Sequence, residues 1–125
     1  MAKILVVEDD TFTASVAERV LTTGGHSVVR AKDGLEGVAL TLSEQPDLII
    51  MDLGLPSMNG WDATRTLKSD PKTRAIPILA LTANLTADDR EEAYNAGCDA
   101  FQTKPIAPEA LLARIDELLK AQISR

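Results

Sequence analysis

The sequence predicts an α/β protein, a single doubly wound domain in which five parallel strands alternate with five helices. Three observations carry that expectation. Short continuous apolar runs, KILVV at 3–7, DLIIM at 47–51 and IPILALT at 76–82, read as strands buried on both faces. The segments between them repeat apolar residues at helical spacing. A chain of 125 residues with 45% hydrophobic and 26% charged residues suits one globular domain with a sizeable core. Buried strands separated by helices pair in parallel through right-handed crossovers.

The elements follow in order. The first strand, 3–7, is cut off by the acids Glu8, Asp9 and Asp10. From Thr11 to Thr23, Phe12, Val16 and Val20 with Ala17 and Leu21 recur at helical spacing, and Gly24 and Gly25 stop the helix. SVVRA at 27–31 is a short second strand, and Leu35, Val38, Ala39 and Leu42 form the apolar stripe of a second helix ending near Pro46. The third strand, 47–51, delivers Asp52 to a loop of Gly, Pro, Ser and Asn. A third helix from about Gly60 to Lys68 ends before the break at Asp70 and Pro71, and 76–82 is the fourth strand. Residues 86–96 read as a helix with Asp88, Asp89, Glu91 and Glu92 largely solvated, DAFQT at 99–103 as the fifth strand, closed by Lys104 and Pro105. Pro108 opens the last helix, amphipathic through Leu111, Leu112, Ile115, Leu118 and Leu119.

Composition excludes several classes of function. With 13 basic and 19 acidic residues the net charge is −6, and four aromatics, Phe12, Trp61, Tyr94 and Phe101, are available to stack on bases. No basic face for direct nucleic-acid binding is expected. One cysteine, Cys98, rules out an intrachain disulfide or a cysteine-built metal cluster and reads as a small apolar packing group. There is no apolar run of about 18 residues and no signal peptide, so membrane insertion is not expected and the reading is a cytoplasmic protein. His26, the single histidine, reads as a solvated turn residue, and Trp61 as apolar cover for the loop before it.

Ligands of doubly wound sheets bind at the carboxyl ends of the strands, where strand order reverses. Those ends carry Glu8, Asp9 and Asp10 after the first strand, Asp52 after the third, Thr82 after the fourth and Lys104 after the fifth. An acid at one strand end is ordinary loop polarity, but convergence from four ends is not. Several carboxylates on one rim repel one another unless a hard cation sits among them, and an oxygen-only set suits Mg²⁺. A lysine and a hydroxyl beside them fit a transferring phosphoryl group, for which a carboxylate is a competent covalent acceptor. Asp52 is the best placed candidate.

Taken together, ILVVED, then DLIIMDLGLPSMNG with its Asp-x-x-x-Pro-x-x-x-Gly frame at Asp52, Pro56 and Gly60, then ILALTA, then GCDAFQTKPI, cover the whole chain in order. The set resembles the receiver domains of two-component response regulators, especially the stand-alone, single-domain kind. The resemblance implies one receiver domain over 1–125, with flavodoxin-like strand order 2-1-3-4-5. It makes Asp52 the phosphoacceptor and a ligand of Mg²⁺ (or Mn²⁺), with Asp9 coordinating directly, Glu8 through water and Gly54 through its backbone carbonyl. Asp10 matches no ligand position. Thr82 would be the switch hydroxyl, Phe101 the aromatic that changes rotamer with it, and Lys104 the phosphoryl-contacting lysine. Lys104 and Pro105 would be joined by a cis peptide that aims the lysine, while Pro56 and Gly60 shape the loop and start the next helix. Gly54 and Asn84 hold positions that tune the acyl phosphate's lifetime.

By the same resemblance a sensor histidine kinase or phosphotransfer protein donates the phosphoryl group. The face of the fourth helix, fifth strand and fifth helix then changes for a downstream partner that the sequence does not identify. The chain would catalyse its own phosphorylation and dephosphorylation and no other reaction, as a monomer or a weak dimer through the fourth and fifth helices. It begins at Met1 and ends just after the fifth helix, which leads us to expect a free-standing regulator. Three alternatives stand beside this one. An aspartyl-phosphate hydrolase wants a second acid two residues after the nucleophile, where this chain has Gly54. A flavin or nucleotide binder wants a phosphate loop where VVEDDTF offers carboxylates. A degenerate receiver serving only as a docking module typically lacks a site residue, and here all are present.

Overall fold

The computed structural model of the protein describes residues 2–53, 60–82, 91 and 94–123. Its elements are β1 (Lys3–Val7), α1 (Thr11–Thr23), β2 (Ser27–Ala31), α2 (Gly34–Glu44), β3 (Leu48–Asp52), α3 (Gly60–Ser69), β4 (Ile78–Thr82), a helix α4 described at residues 91 and 94–96, β5 (Ala100–Thr103) and α5 (Pro108–Ile123). The five strands form one parallel sheet in the order β2-β1-β3-β4-β5. The order reverses between β1 and β3, and the carboxyl ends of those two central strands define the crevice where such sheets bind ligands.

Successive side chains of a strand point to opposite faces, and both faces are covered. Leu5, Val7, Ile49, Met51, Ile78 and Ala80 join Ala63 and Leu67 of α3 in one core. Ile4, Val6, Leu48, Ile50, Leu79 and Leu81 join Ala17, Val20 and Leu21 of α1 and Leu111 and Ile115 of α5 in the other. Two-sided burial explains why these strands read as continuous apolar runs.

Several elements depart from the sequence reading. β4 starts at Ile78 rather than 76, because Pro77 has no N–H for the ladder and the Ile76 N–H closes a turn onto Thr73 O at 3.0 Å. β5 starts at Ala100 rather than 99: Asp99 turns its carboxylate back to accept from the Ile78 N–H at 2.8 Å and Lys68 Nζ at 2.9 Å. Phe12, read as part of the buried stripe of α1, is 76% exposed. On α2, Leu35 and Leu42 are 57% and 44% exposed and Ala39 is exposed, while Gly34, Gly37 and Thr41 face the sheet. The reason is close approach: a Cβ on Gly37 would lie 2.9 Å from Val7 Cγ2, and Thr41 satisfies its hydroxyl on Gly37 O at 2.7 Å. His26 is half-buried and its Nδ1 accepts from the Ala2 N–H at 3.3 Å, so it ties the strand start rather than standing in solvent.

Candidate functional site

The β1–β3 register pairs Val7 with Met51, so the next residues, Glu8 and Asp52, stand side by side at the carboxyl rim. Both are buried, at 4% and 6% exposure, and Asp9 beside them is exposed. One carboxylate oxygen from each of the three lies within 4.8 Å of the others. Lys104, delivered by the end of β5, places Nζ 2.9 Å from Glu8 Oε1 and 3.4 Å from Asp52 Oδ2. Its own N–H donates to Thr82 O at 2.7 Å, and the Lys104–Pro105 peptide is cis.

Electrostatics follow from this crowding. Burial first, and then the neighbouring Asp52 carboxylate, push the Glu8 pKa up to about 7, although Lys104 and the Asp10 N–H pull the other way. Burial works against the Lys104 ammonium, but the paired Glu8 carboxylate and the charge of Asp52 more than offset it, so its pKa lies above the ordinary lysine value. Three carboxylates facing one ammonium leave surplus negative charge in a half-buried place. Glu8 Oε1 is buried and, despite its close ion pair, meets no hydrogen-bond geometry. An oxygen-only donor set, excess negative charge and an unfilled buried acceptor fit a hard divalent cation, which Glu8, Asp9 and Asp52 would hold.

Gly60 carries a constraint that the sequence reading assigned to starting the next helix. It packs so tightly under β3 that a Cβ would meet Asp52 O at 2.2 Å and Leu53 Cα at 2.5 Å, while its N–H donates to Leu53 O at 3.2 Å. Thr82 ends β4 one residue beyond Leu81, the register partner of Asp52. Ala80 pairs with Phe101, so Thr82 shares a sheet face with that half-buried ring, which packs against the α3-side core. The rings of Phe101 and Tyr94 meet edge to face with centroids 5.2 Å apart. Gly54, Pro56, Asn84 and the acids at 88, 89 and 92 lie outside the described residues.

Further residues surround this site. Asp10 caps α1: its carboxylate accepts from the Thr13 N–H at 2.9 Å and from the Thr13 hydroxyl. An Asp directly before a helical period is the usual signal for such a cap. Phe12 and Ile106, with Thr13, Val16, Lys104 and Pro105, line an apolar groove of about 290 Å³ beside the rim. Tyr94 supplies the neighbour of Phe101, which has no sequence signal because the pair is seven residues apart across a turn. Cys98 is buried, and burial raises its thiol to about 11, as befits an inert packing group. No helix among the described residues is long and apolar enough to cross a membrane.

The family profile described as "Response regulator receiver domain" matches residues 4–116. Protein PilH of Pseudomonas aeruginosa is 37% identical over 119 residues, which cover 95% of this chain and 98% of PilH. The DNA-binding dual master transcriptional regulator RpaA of Synechocystis is 38% identical over 96% of this chain, which spans only 50% of that protein. Among solved structures, the chemotaxis protein CheY4 of Vibrio cholerae superposes with a TM-score of 0.90 at 29% identity, covering 94% of this chain and 98% of that one. The receiver domain of the sensor histidine kinase PA1611 of Pseudomonas aeruginosa, described with a magnesium ion coordinated in its active-site cleft, superposes with a TM-score of 0.84 at 33% identity, covering 99% and 98%.

Proposed function

This chain belongs to the response regulator receiver domain family, and on that premise we propose that Asp52 is its phosphoacceptor, served by Glu8, Asp9, Lys104 and Thr82. The observation that supports this best is the meeting of three carboxylates within 4.8 Å with the Lys104 ammonium, brought from the ends of β1, β3 and β5. Receiver domains are signalling modules, and they take their phosphoryl group from histidine kinases or phosphotransfer proteins.

In the proposed reaction an Asp52 oxygen attacks the phosphorus of a phosphohistidine in line. The P–N bond breaks, the imidazole leaves with the electron pair and takes up a proton, and an acyl phosphate remains on Asp52. Glu8, Asp9, Asp52 and the backbone carbonyl of Gly54 are the proposed ligands of Mg²⁺, Glu8 through water; when bound, the ion supplies neutralisation of the phosphoryl oxygens. Lys104, held 3.4 Å from Asp52, is placed to leave that ion pair and contact the incoming oxygens. Thr82 donates its hydroxyl to the phosphorylated form, and Phe101 changes rotamer with it, altering the α4-β5-α5 face for a downstream partner. Receiver residues 1–125 would work as one domain, in the cytoplasm.

The protein donor docks on the apolar groove of Phe12, Val16, Pro105 and Ile106. That groove is continuous with the phosphoacceptor site, since Lys104 lines both. Incubation with a phosphorylated histidine phosphotransfer domain and Mg²⁺ tests the reading. Radiolabel should move to the wild type and not to Asp52→Asn; transfer to both would overturn it.

A further inference from the structure

Asp10 lies next to the acid pair but takes no place in the cluster, and its carboxylate is already engaged by two donors of Thr13. We propose that Asp10 is a positioning residue for the metal-binding acids, acting through its helix cap and not through its charge. The proposal rests on the assignment of Glu8 and Asp9 as cation ligands.

The connection can be traced bond by bond. The Asp10 carboxylate holds the Thr13 N–H, and the Asp10 carbonyl accepts from the Ala14 N–H at 2.9 Å, so both ends of the residue are tied to the first turn of α1. Fixed in this way, the Asp10 N–H points back and donates to Glu8 Oε2 at 3.2 Å. The Glu8 main chain is held in turn by its N–H on Ala31 O at 3.0 Å. Asp9 therefore sits between two anchored residues. Among the described residues none donates a hydrogen bond to the exposed Asp9 carboxylate, so the backbone on either side is what places it. Loss of the cap frees the first turn of α1, and with it the donor to Glu8 and the direction of the chain at Asp9. Thr13 also lines the donor groove, so the same turn joins the surface that receives a partner to the acids. Groups one step removed from metal ligands commonly alter affinity by about 10- to 100-fold when deleted.

A cap is a matter of geometry, and asparagine and serine cap about as well as aspartate, whereas alanine does not. The experiment is a Mg²⁺ titration of the metal-free protein by isothermal calorimetry, with the melting temperature of each variant taken alongside. Asp10→Ala is expected to bind Mg²⁺ about tenfold more weakly than wild type, the lower end of that range. Asp10→Asn and Asp10→Ser are expected to stay within about twofold of wild type, since they restore the cap. Asp10→Gly, which removes the carboxylate acceptor at a position where glycine is well tolerated, serves if Asp10→Ala does not fold, and the same loss of about tenfold is expected. Affinity of Asp10→Ala, or of Asp10→Gly in its place, equal to wild type would overturn the proposal. So would Asp10→Asn binding as weakly as Asp10→Ala, because the charge would then be the cause. A wild type with no saturable Mg²⁺ binding would instead overturn the ligand assignment on which the proposal rests.

Discussion

Glu8 is held in a place that penalises its charge. Its folded pKa of about 7 lies above the ordinary value of 4.5, so between those pH values the folded state of the metal-free protein keeps a proton that the unfolded chain releases. The stability tied to Glu8 is therefore fully present below pH 4.5 and lost as pH rises through 7. Urea midpoints of metal-free protein across that window should fall with pH more steeply for wild type than for Glu8→Gln, and parallel curves would contradict the assignment. Lys104 is the opposite case, a cation that two carboxylates keep charged. In the proposed reaction Lys104 contacts the phosphoryl oxygens, so in Lys104→Met the initial rate of label uptake from a small-molecule phosphodonor should drop by about 100-fold.

At the scale of elements, glycine and small side chains decide how helices meet the sheet. Gly60→Ala forces a methyl into the Asp52 carbonyl and should destabilise the fold by about 1–3 kcal/mol in urea unfolding while also slowing phosphoryl uptake. The inverted face of α2 gives a second contrast. Leu35→Lys and Leu42→Lys should change stability by no more than about 0.5 kcal/mol, whereas Leu111→Ala on α5 should cost about 2–5 kcal/mol. A large loss from Leu35→Lys would place that residue inside. The same elements show what was legible in the chain. Fully buried strands announce themselves as unbroken apolar runs, and β1, β2 and the last helix lie where periodicity puts them. On α1 the stripe of Ala17, Val20 and Leu21 is buried and only Phe12 lies outside it; on α2 hydrophobicity favours Leu35 and Leu42, while the contact to the sheet is made by Gly34, Gly37 and Thr41. The acids of the site were legible from their places at strand ends. The apolar groove and the Tyr94–Phe101 contact were not, because both depend on tertiary placement.

At the scale of the molecule, the parallel sheet gathers groups from residues 8, 52 and 104 at one rim and sets an apolar groove beside them. On the proposed reading, acceptor chemistry and donor recognition are thereby separable. Phe12→Ala should slow transfer from a phosphotransfer protein about tenfold or more, as a lost aromatic anchor does, and leave uptake from a small-molecule phosphodonor unchanged. Equal slowing with both donors would move Phe12 from recognition to chemistry. On the proposed reading Asp52 itself carries the phosphoryl group. Phosphorylation with Mg²⁺ and a small-molecule donor, borohydride reduction of the acyl phosphate and peptide mass mapping read this directly. The reduced residue should appear at position 52 in the wild type and nowhere in Asp52→Asn; reduction at another carboxylate in the wild type, with position 52 intact, would contradict the assignment.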